Sequence, residues 1–211
     1  VRPARIYVLA GVNGAGKSSI GGAAFRESGA EYYNPDEVAR ELMATRLGMT
    51  LAEANADAWQ IGRTLLERAI RERLNFAFET TLGGNTIPRL LGEAAKSGIE
   101  ILIWYVGLES PQLHIKRVAA RVRRGGHAIP DEMIRRRYDQ SRLNLVQLLP
   151  SLTALRIYDN SEEADPEAGK EPAPRLVLHL EAGRILGPED LSQTPDWAKP
   201  VVAAALQRSL G

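Results

Sequence analysis

Gly11-Val12-Asn13-Gly14-Ala15-Gly16-Lys17-Ser18 matches the eight-residue phosphate-loop pattern G-x-x-x-x-G-K-[ST] at every fixed position. The spacing has a chemical reason. Glycines let the backbone curl so that successive N–H groups point at phosphate oxygens, and the helix that follows adds the positive end of its dipole. In such a loop the lysine, here Lys17, reaches the β- and γ-phosphates and the hydroxyl of Ser18 ligates Mg²⁺. Gly11, Asn13, Gly14, Ala15, Gly16, Lys17, Ser18 and Ser19 are the expected nucleotide-binding residues. The cofactors expected with them are ATP and Mg²⁺. The context is right: the short β-type run Ile6-Tyr7-Val8-Leu9 precedes the loop and helix-forming sequence follows it.

Outward from this loop, strand and helix signals alternate. Tyr32-Tyr33 is a second strand, and Asn34-Pro35-Asp36-Glu37 opens a helix with Asn34 as N-cap and Pro35 in the first turn. Thr50 and Glu53 form a capping box for a long helix to about Arg73. Phe76-Ala77-Phe78 is a third strand, residues 99–106 a buried central one, and Leu155-Arg156-Ile157-Tyr158 a fifth. Ser110-Pro111 and Pro130-Asp131 open two further helices, with Gly125-Gly126 as a break between them. This alternation predicts an α/β fold of three layers, a P-loop NTPase with a mostly parallel five-stranded sheet and helices on both faces. Residues 1–161 form the expected core domain, with a helical lid at about 110–150. Residues 162–211 form an expected C-terminal extension packed on the same domain: an exposed Glu/Ala/Pro-rich loop, a small hairpin turning at Gly183, and a helix over 196–210.

Composition narrows the function classes. The 211 residues are 44% hydrophobic and 25% charged, ordinary values for a globular chain. A formal charge of +1 gives no overall pull towards nucleic acid or acidic membrane. There is no cysteine, which excludes disulfides and thiolate metal sites. No apolar run approaches the ~20 residues of a membrane span, and the apolar run 6–12 leads into the phosphate loop rather than a cleavage site. A cytoplasmic location is expected. No Asn-Lys-x-Asp guanine reader and no Leu-Ser-Gly-Gly-Gln occur, and Thr81-Leu82-Gly83-Gly84-Asn85 is a poor substitute for the latter. A small kinase remains.

Two acids fall at strand ends, where open α/β sheets bind ligands. Asp36 is the expected base for an acceptor hydroxyl, a role phosphoryl-transfer enzymes give to Asp. An acid in a first helical turn also meets the dipole favourably, which explains Glu37 as well. Glu79 interrupts a β-type run and, if buried, needs a partner. It is expected either to hold a magnesium-bound water or to grip acceptor hydroxyls, with Thr81 beside it. From Lys116 to Arg142 the chain is rich in arginine. Arg117, Arg121 and Arg124 recur at i, i+4 and i+7 on one helix face. Such a stripe stabilises charge spread over a transferred phosphoryl group, with Gly125-Gly126-His127 as a flexible corner. Arg137 and His127 complete the candidate substrate contacts, His127 standing between structural and functional readings. His114 and His179 read as structural.

Taken in order, the phosphate loop, Asn34-Pro35-Asp36, Phe78-Glu79-Thr80-Thr81 and the run from Arg117-Val118 to Gly125-Gly126-His127-Ala128-Ile129-Pro130 resemble the zeta-toxin group of P-loop kinases, in its stand-alone bacterial branch, over residues 5–161. The resemblance implies an ATP-dependent kinase whose acceptor is a sugar hydroxyl of a nucleotide sugar, UDP-N-acetylglucosamine in the toxin members. On that pattern Asp36 is the base, Glu79 and Thr81 contact the acceptor, and lid arginines contact the phosphates. It also implies a small antitoxin protein as partner. Two departures stand out. Glu79 is followed by Thr80-Thr81-Leu82-Gly83, where toxins tend to carry a glycine and then a basic residue. The lid has Gly-Gly-His-x-x-Pro where toxins place a second arginine. A nucleoside or polynucleotide 5′-kinase, and a nucleotide-switched ATPase binding module, are the alternatives.

Overall fold

The computed structural model describes residues 3–17, 31–162 and 174–210. Its elements in chain order are β1 (Arg5–Ala10), β2 (Glu31–Tyr33), α1 (Pro35–Thr45), α2 (Leu51–Glu72), β3 (Phe76–Thr80), α3 (Thr86–Lys96), β4 (Glu100–Gly107), α4 (Pro111–Val122), α5 (Asp131–Leu148), β5 (Ala154–Asp159), β6 (Arg175–Glu181), β7 (Arg184–Gly187) and α6 (Lys199–Leu210). The strands form one sheet in the order β2-β3-β1-β4-β5-β6-β7. β1 to β5 are parallel, with Ile6 opposite both Phe76 and Ile101.

The local signals behave as their chemistry requires. The Asn34 side chain accepts from the N–H groups of Asp36 and Glu37, and Thr50 and Glu53 make both halves of the capping box. After α4, Gly125 N–H bonds Val122 O at 2.9 Å and Gly126 N–H bonds Arg121 O at 3.0 Å. With Gly125 at φ +85° this is a Schellman stop. The strands' apolar residues fill a large core in which Ile6, Val8 and Ile101 meet Leu66 of α2, Leu91 of α3, Leu145 of α5 and Val201 of α6. A smaller cluster on the opposite face joins Leu9, Ala77 and Val106 to Ala15 of the phosphate loop.

Two expectations need correction. The sheet has seven strands, not five, because the C-terminal hairpin joins its edge: β6 pairs antiparallel with β5, Leu178 opposite Ile157, and β7 pairs with β6. β6 buries Val177, Leu178 and Leu180 in the main core, which a free hairpin would leave wet. The turn is at Ala182-Gly183, both at positive φ, as a two-residue hairpin requires. The last helix begins at Lys199 rather than at residue 196. The chain before it turns at Pro195, with Ala198 N–H bonding Pro195 O at 2.9 Å, and Pro200 suits a first helical turn that has no use for its missing N–H. No described helix is long and apolar enough to cross a membrane.

Candidate active site

β1 lies between β3 and β4, so the chain changes direction around it. The carboxyl ends of β1, β2 and β3 open on one edge of the sheet, the place where open α/β sheets take ligands. The phosphate loop leaves β1 there. Gly14 and Gly16 both have φ +84°, a left-handed conformation that costs a side chain 1–2 kcal/mol, roughly. A Cβ at Gly16 would also stand 2.4 Å from Asn160 Nδ2. Lys17 is 8% exposed; its Nζ donates to Gly11 O at 2.8 Å and lies 3.4 Å from a carboxylate oxygen of Glu79. Ser18 and Ser19 lie outside the described residues.

Side chains from distant elements brace the loop. His114 of α4 is 1% exposed, and its Nδ1 is 2.9 Å from the Asn13 carbonyl. Burial pushes the imidazole pKa down to about 4, so the ring is neutral near pH 7 and Nδ1 carries the proton it donates. Arg137 of α5 donates from Nη1 to Asn13 Oδ1 at 2.8 Å. Burial lowers its pKa, with repulsion from Arg136 adding to that effect and attraction to Asp36 opposing it. Asn160, after β5, donates to the Ala15 carbonyl at 2.8 Å. Val12 packs with Val118 of α4 and Ile134 of α5, which ties the loop to the lid helices.

Next to the loop is a cleft of about 810 Å³, walled by α2, the loop after β3 and the start of α5. Asp36, Glu79, Thr81 and Arg137 all line it, together with Asn13 of the phosphate loop. Glu79 is 10% exposed and is satisfied by Lys17 and by the hydroxyl of Tyr32, which donates at 3.1 Å. Asp36 is half exposed and 3.7 Å from Arg121. Thr81 accepts from Gly83 N–H at 3.4 Å, and Asn144 pins that loop by donating to Leu82 O at 2.7 Å and Gly84 O at 3.0 Å.

The arginine stripe divides. Arg121 is not itself a cleft-lining residue; it lies 3.7 Å from Asp36, which is, and donates to His127 O at 3.3 Å. Arg117 donates to Glu162 O at 3.1 Å, at the mouth of the segment after β5. Arg124 is exposed in the Schellman turn, as is Arg123. His127 is not among the cleft-lining residues, whereas its successors Ala128, Ile129 and Pro130 are. Its Nε2 and the Nε of Arg121 are buried atoms with no hydrogen-bond partner among the described residues.

The cleft also holds residues the sequence did not single out. Asn55, Trp59 and Arg63 of α2 face it at helical spacing, with Met133 and Arg136 of α5 opposite. Trp59 is 45% exposed, and the Arg63 guanidinium lies 5.9 Å from its ring centroid. The available signal was the Asn55, Trp59, Arg63 stripe on a capped helix; periodicity alone does not separate it from an ordinary helix face.

Comparison with known proteins bears on the family and the fold. The sequence model of the zeta toxin family matches residues 2–165. An uncharacterized protein of Haemophilus influenzae is 30% identical over 129 residues, which span 61% of this chain and 88% of that one. Among solved structures, a chain of the AvrRxo1-ORF1:-ORF2 complex with ATP superimposes with a TM-score of 0.67 at 14% identity over 96% of this chain. This chain spans 64% of the length of that neighbour. A chain of the PezAT chromosomal toxin-antitoxin system of Streptococcus pneumoniae matches with a TM-score of 0.55 at 14% identity, covering 99% of this chain and 86% of that one. At these identities the superpositions speak for the fold, while the matched family model covers most of the sequence. The chain belongs to the zeta toxin family and has a P-loop kinase fold.

Proposed function

We propose that the protein transfers the γ-phosphoryl group of ATP to a sugar hydroxyl of a nucleotide sugar such as UDP-N-acetylglucosamine. The observation that carries this reading is that Asp36, Glu79 and the phosphate loop's Asn13 line one cleft. The residues fit the nucleotide: two left-handed glycines packed too closely on His114 and Asn160 for side chains, and a buried lysine, form the cradle. ATP would supply the phosphoryl group, and Mg²⁺, held by Ser18 and through water by Glu79, would screen its charge. Lys17 is poised to exchange Gly11 O and Glu79 for phosphate oxygens. Asp36 would accept the acceptor's hydroxyl proton once Arg121 turns from the carboxylate towards the transferred group. Glu79 and Thr81 would hold neighbouring hydroxyls, and Arg137 would keep Asn13 placed while reaching the acceptor. Arg117 and Arg124 stand further out and would act only after the lid helices close, with His127 at their corner.

The cleft's size and walls favour the acceptor class. About 810 Å³ is in the range that encloses a drug-sized ligand. Trp59 and Met133 offer flat and apolar surface, and Arg63, Arg136 and Arg137 offer positive charge. An aromatic base carrying phosphates suits that combination. The same reading gives the protein a cytoplasmic setting and a small antitoxin protein as partner, as PezAT is a toxin-antitoxin system.

A screen of UDP-sugars, nucleosides and 5′-hydroxyl oligonucleotides with γ-labelled ATP tests the proposal. Label is expected on UDP-N-acetylglucosamine ahead of other UDP-sugars. Label on oligonucleotides alone would assign a polynucleotide 5′-kinase. ATP turnover that no acceptor stimulates but a protein partner does would assign a nucleotide switch.

A further inference from the structure

Asn160 sits directly after β5 and is 7% exposed. Its side-chain amide donates to the Ala15 carbonyl at 2.8 Å, and its backbone N–H donates to Gly107 O at 3.0 Å. The amide nitrogen occupies the space a Cβ on residue 16 would need, 2.4 Å away. It is therefore packed against the Ala15–Gly16 peptide in the middle of the phosphate cradle. A trans peptide is planar, with its carbonyl and N–H on opposite edges. Holding the Ala15 carbonyl towards Asn160 turns the Gly16 N–H the other way, away from the core. Glycine at residue 16 gives this peptide little conformational preference of its own.

Asn160 is itself held from the C-terminal segment. Asp159 accepts from Trp197 Nε1 at 3.2 Å and from Ser161 N–H at 3.2 Å, with the Arg175 guanidinium 3.6 Å away. Ser161 Oγ in turn accepts from Glu109 N–H at 2.8 Å. The Trp197 ring lies against Gly107, where a Cβ would be 2.3 Å from it, and Gly107 is the residue whose carbonyl holds Asn160. Trp197 and Arg175 both lie beyond residue 165, where the family match ends.

We propose that Asn160 is a positioning residue that sets the Ala15–Gly16 peptide for phosphate, and that Trp197 and Arg175 of the C-terminal segment keep Asn160 in place through Asp159 and Gly107. This rests on Gly11 to Lys17 binding ATP. Without the amide donor the peptide is free to rotate and present its carbonyl, rather than an N–H, to a phosphate oxygen. The C-terminal segment is then part of the nucleotide site although it contributes no group to the cleft.

The test is calorimetric titration of the full chain with ATP and Mg²⁺, alongside acceptor KM and thermal midpoint. Asn160→Asp is isosteric and lacks the N–H. It should raise the Kd for ATP about tenfold or more, since a charged group would face a carbonyl. Trp197→Phe removes both the indole N–H that Asp159 accepts from and the outer ring atoms that lie against Gly107, so it loosens both supports of Asn160. Its Kd should rise about two- to fivefold, because the lost contacts act on the cradle only at one remove, through Asp159 and Gly107. Acceptor KM should stay within about twofold in both, because no cleft contact is touched. A lower thermal midpoint with ATP Kd unchanged in both variants would make the network purely structural and overturn the proposal. If Asn160→Asp does not fold, Trp197→Phe decides by the same two readings. A wild-type chain that binds no ATP would remove the cradle reading and the proposal together; wild-type binding with unchanged variants removes the proposal alone.

Discussion

Asp36→Asn separates a catalytic carboxylate from a helix-stabilising one, because the two roles differ in magnitude. The structural role is bounded by what Asp36 touches. Its partner is Arg121 at 3.7 Å, with both side chains nearly half exposed. Such a pair contributes about 0–1 kcal/mol, and an acid in the first turn adds about 0.3–1 kcal/mol through the dipole. The cap is untouched, because Asn34 bonds the backbone N–H of residue 36 rather than its side chain. A loss of about 1 kcal/mol lowers the melting temperature of a domain this size by about 2–4 °C. The catalytic role is larger: removing a general base costs about 10²- to 10⁴-fold, or roughly 3–5 kcal/mol of barrier. Single-turnover transfer from γ-labelled ATP, run beside thermal melting and ATP titration, should show the rate falling at least about a hundredfold. ATP Kd should hold within a few-fold and the melting temperature within a few degrees. A rate loss under tenfold with a melting temperature many degrees lower would refute the assignment of Asp36 as the base.

The remaining predictions follow from contacts of the same kind. Arg121→Ala should slow transfer by about ten- to a hundredfold, the cost of one charge-assisted phosphate contact, and Arg121→Lys should rescue only in part because it loses the planar fork. Arg123→Ala, on an exposed side chain at the end of α4, should leave single-turnover rates nearly unchanged; equal small effects at Arg117, Arg121, Arg123 and Arg124 would reduce the stripe to a solvated face. Trp59→Ala should raise the KM for a nucleotide-sugar acceptor by about tenfold or more, the scale of one lost base stack, with ATP KM unchanged; an unaltered acceptor KM would remove Trp59 from the base site. His114 is buried neutral with its pKa pushed down to about 4, so the unfolded chain binds more protons than the folded one between about pH 6.5 and 4. Stability should therefore fall as pH drops through that window, and His114→Gln should flatten the dependence; an identical pH profile in the variant would contradict the linkage.

What could be read from the sequence was what is decided locally. Asn34, Thr50 with Glu53, and Gly125 act on backbone groups within a few residues, so their roles show in the order of residues. The phosphate loop is legible for the same reason, as is the placing of Asp36 and Glu79 at strand ends. Partner choice across the sheet is not local. β6 became a sheet strand because its apolar face matched β5 in register, with fifteen residues between them, whereas the pattern alone allowed a free hairpin. The supports of the loop were hidden likewise: His114, Arg137 and Asn160 are 101, 124 and 145 residues from their phosphate-loop partners. Arg137 stood out only as one arginine among many, and Asn160 carried no signal at all. Trp59 was not singled out, because helical spacing does not distinguish a packed face from a cleft wall.

The claim on which the rest stands is that Gly11 to Lys17 cradles the phosphates of ATP. Lys17 is 8% exposed and, among the described residues, bonds Gly11 O and Glu79, contacts that position a charge rather than build a core. ATP turnover in the presence of acceptor should be measured for the wild-type chain and for Lys17→Ala, with circular dichroism confirming that both are folded. The account predicts turnover in the wild type and its loss, by at least about a hundredfold, in the variant. A folded Lys17→Ala protein that turns over ATP at the wild-type rate would contradict it.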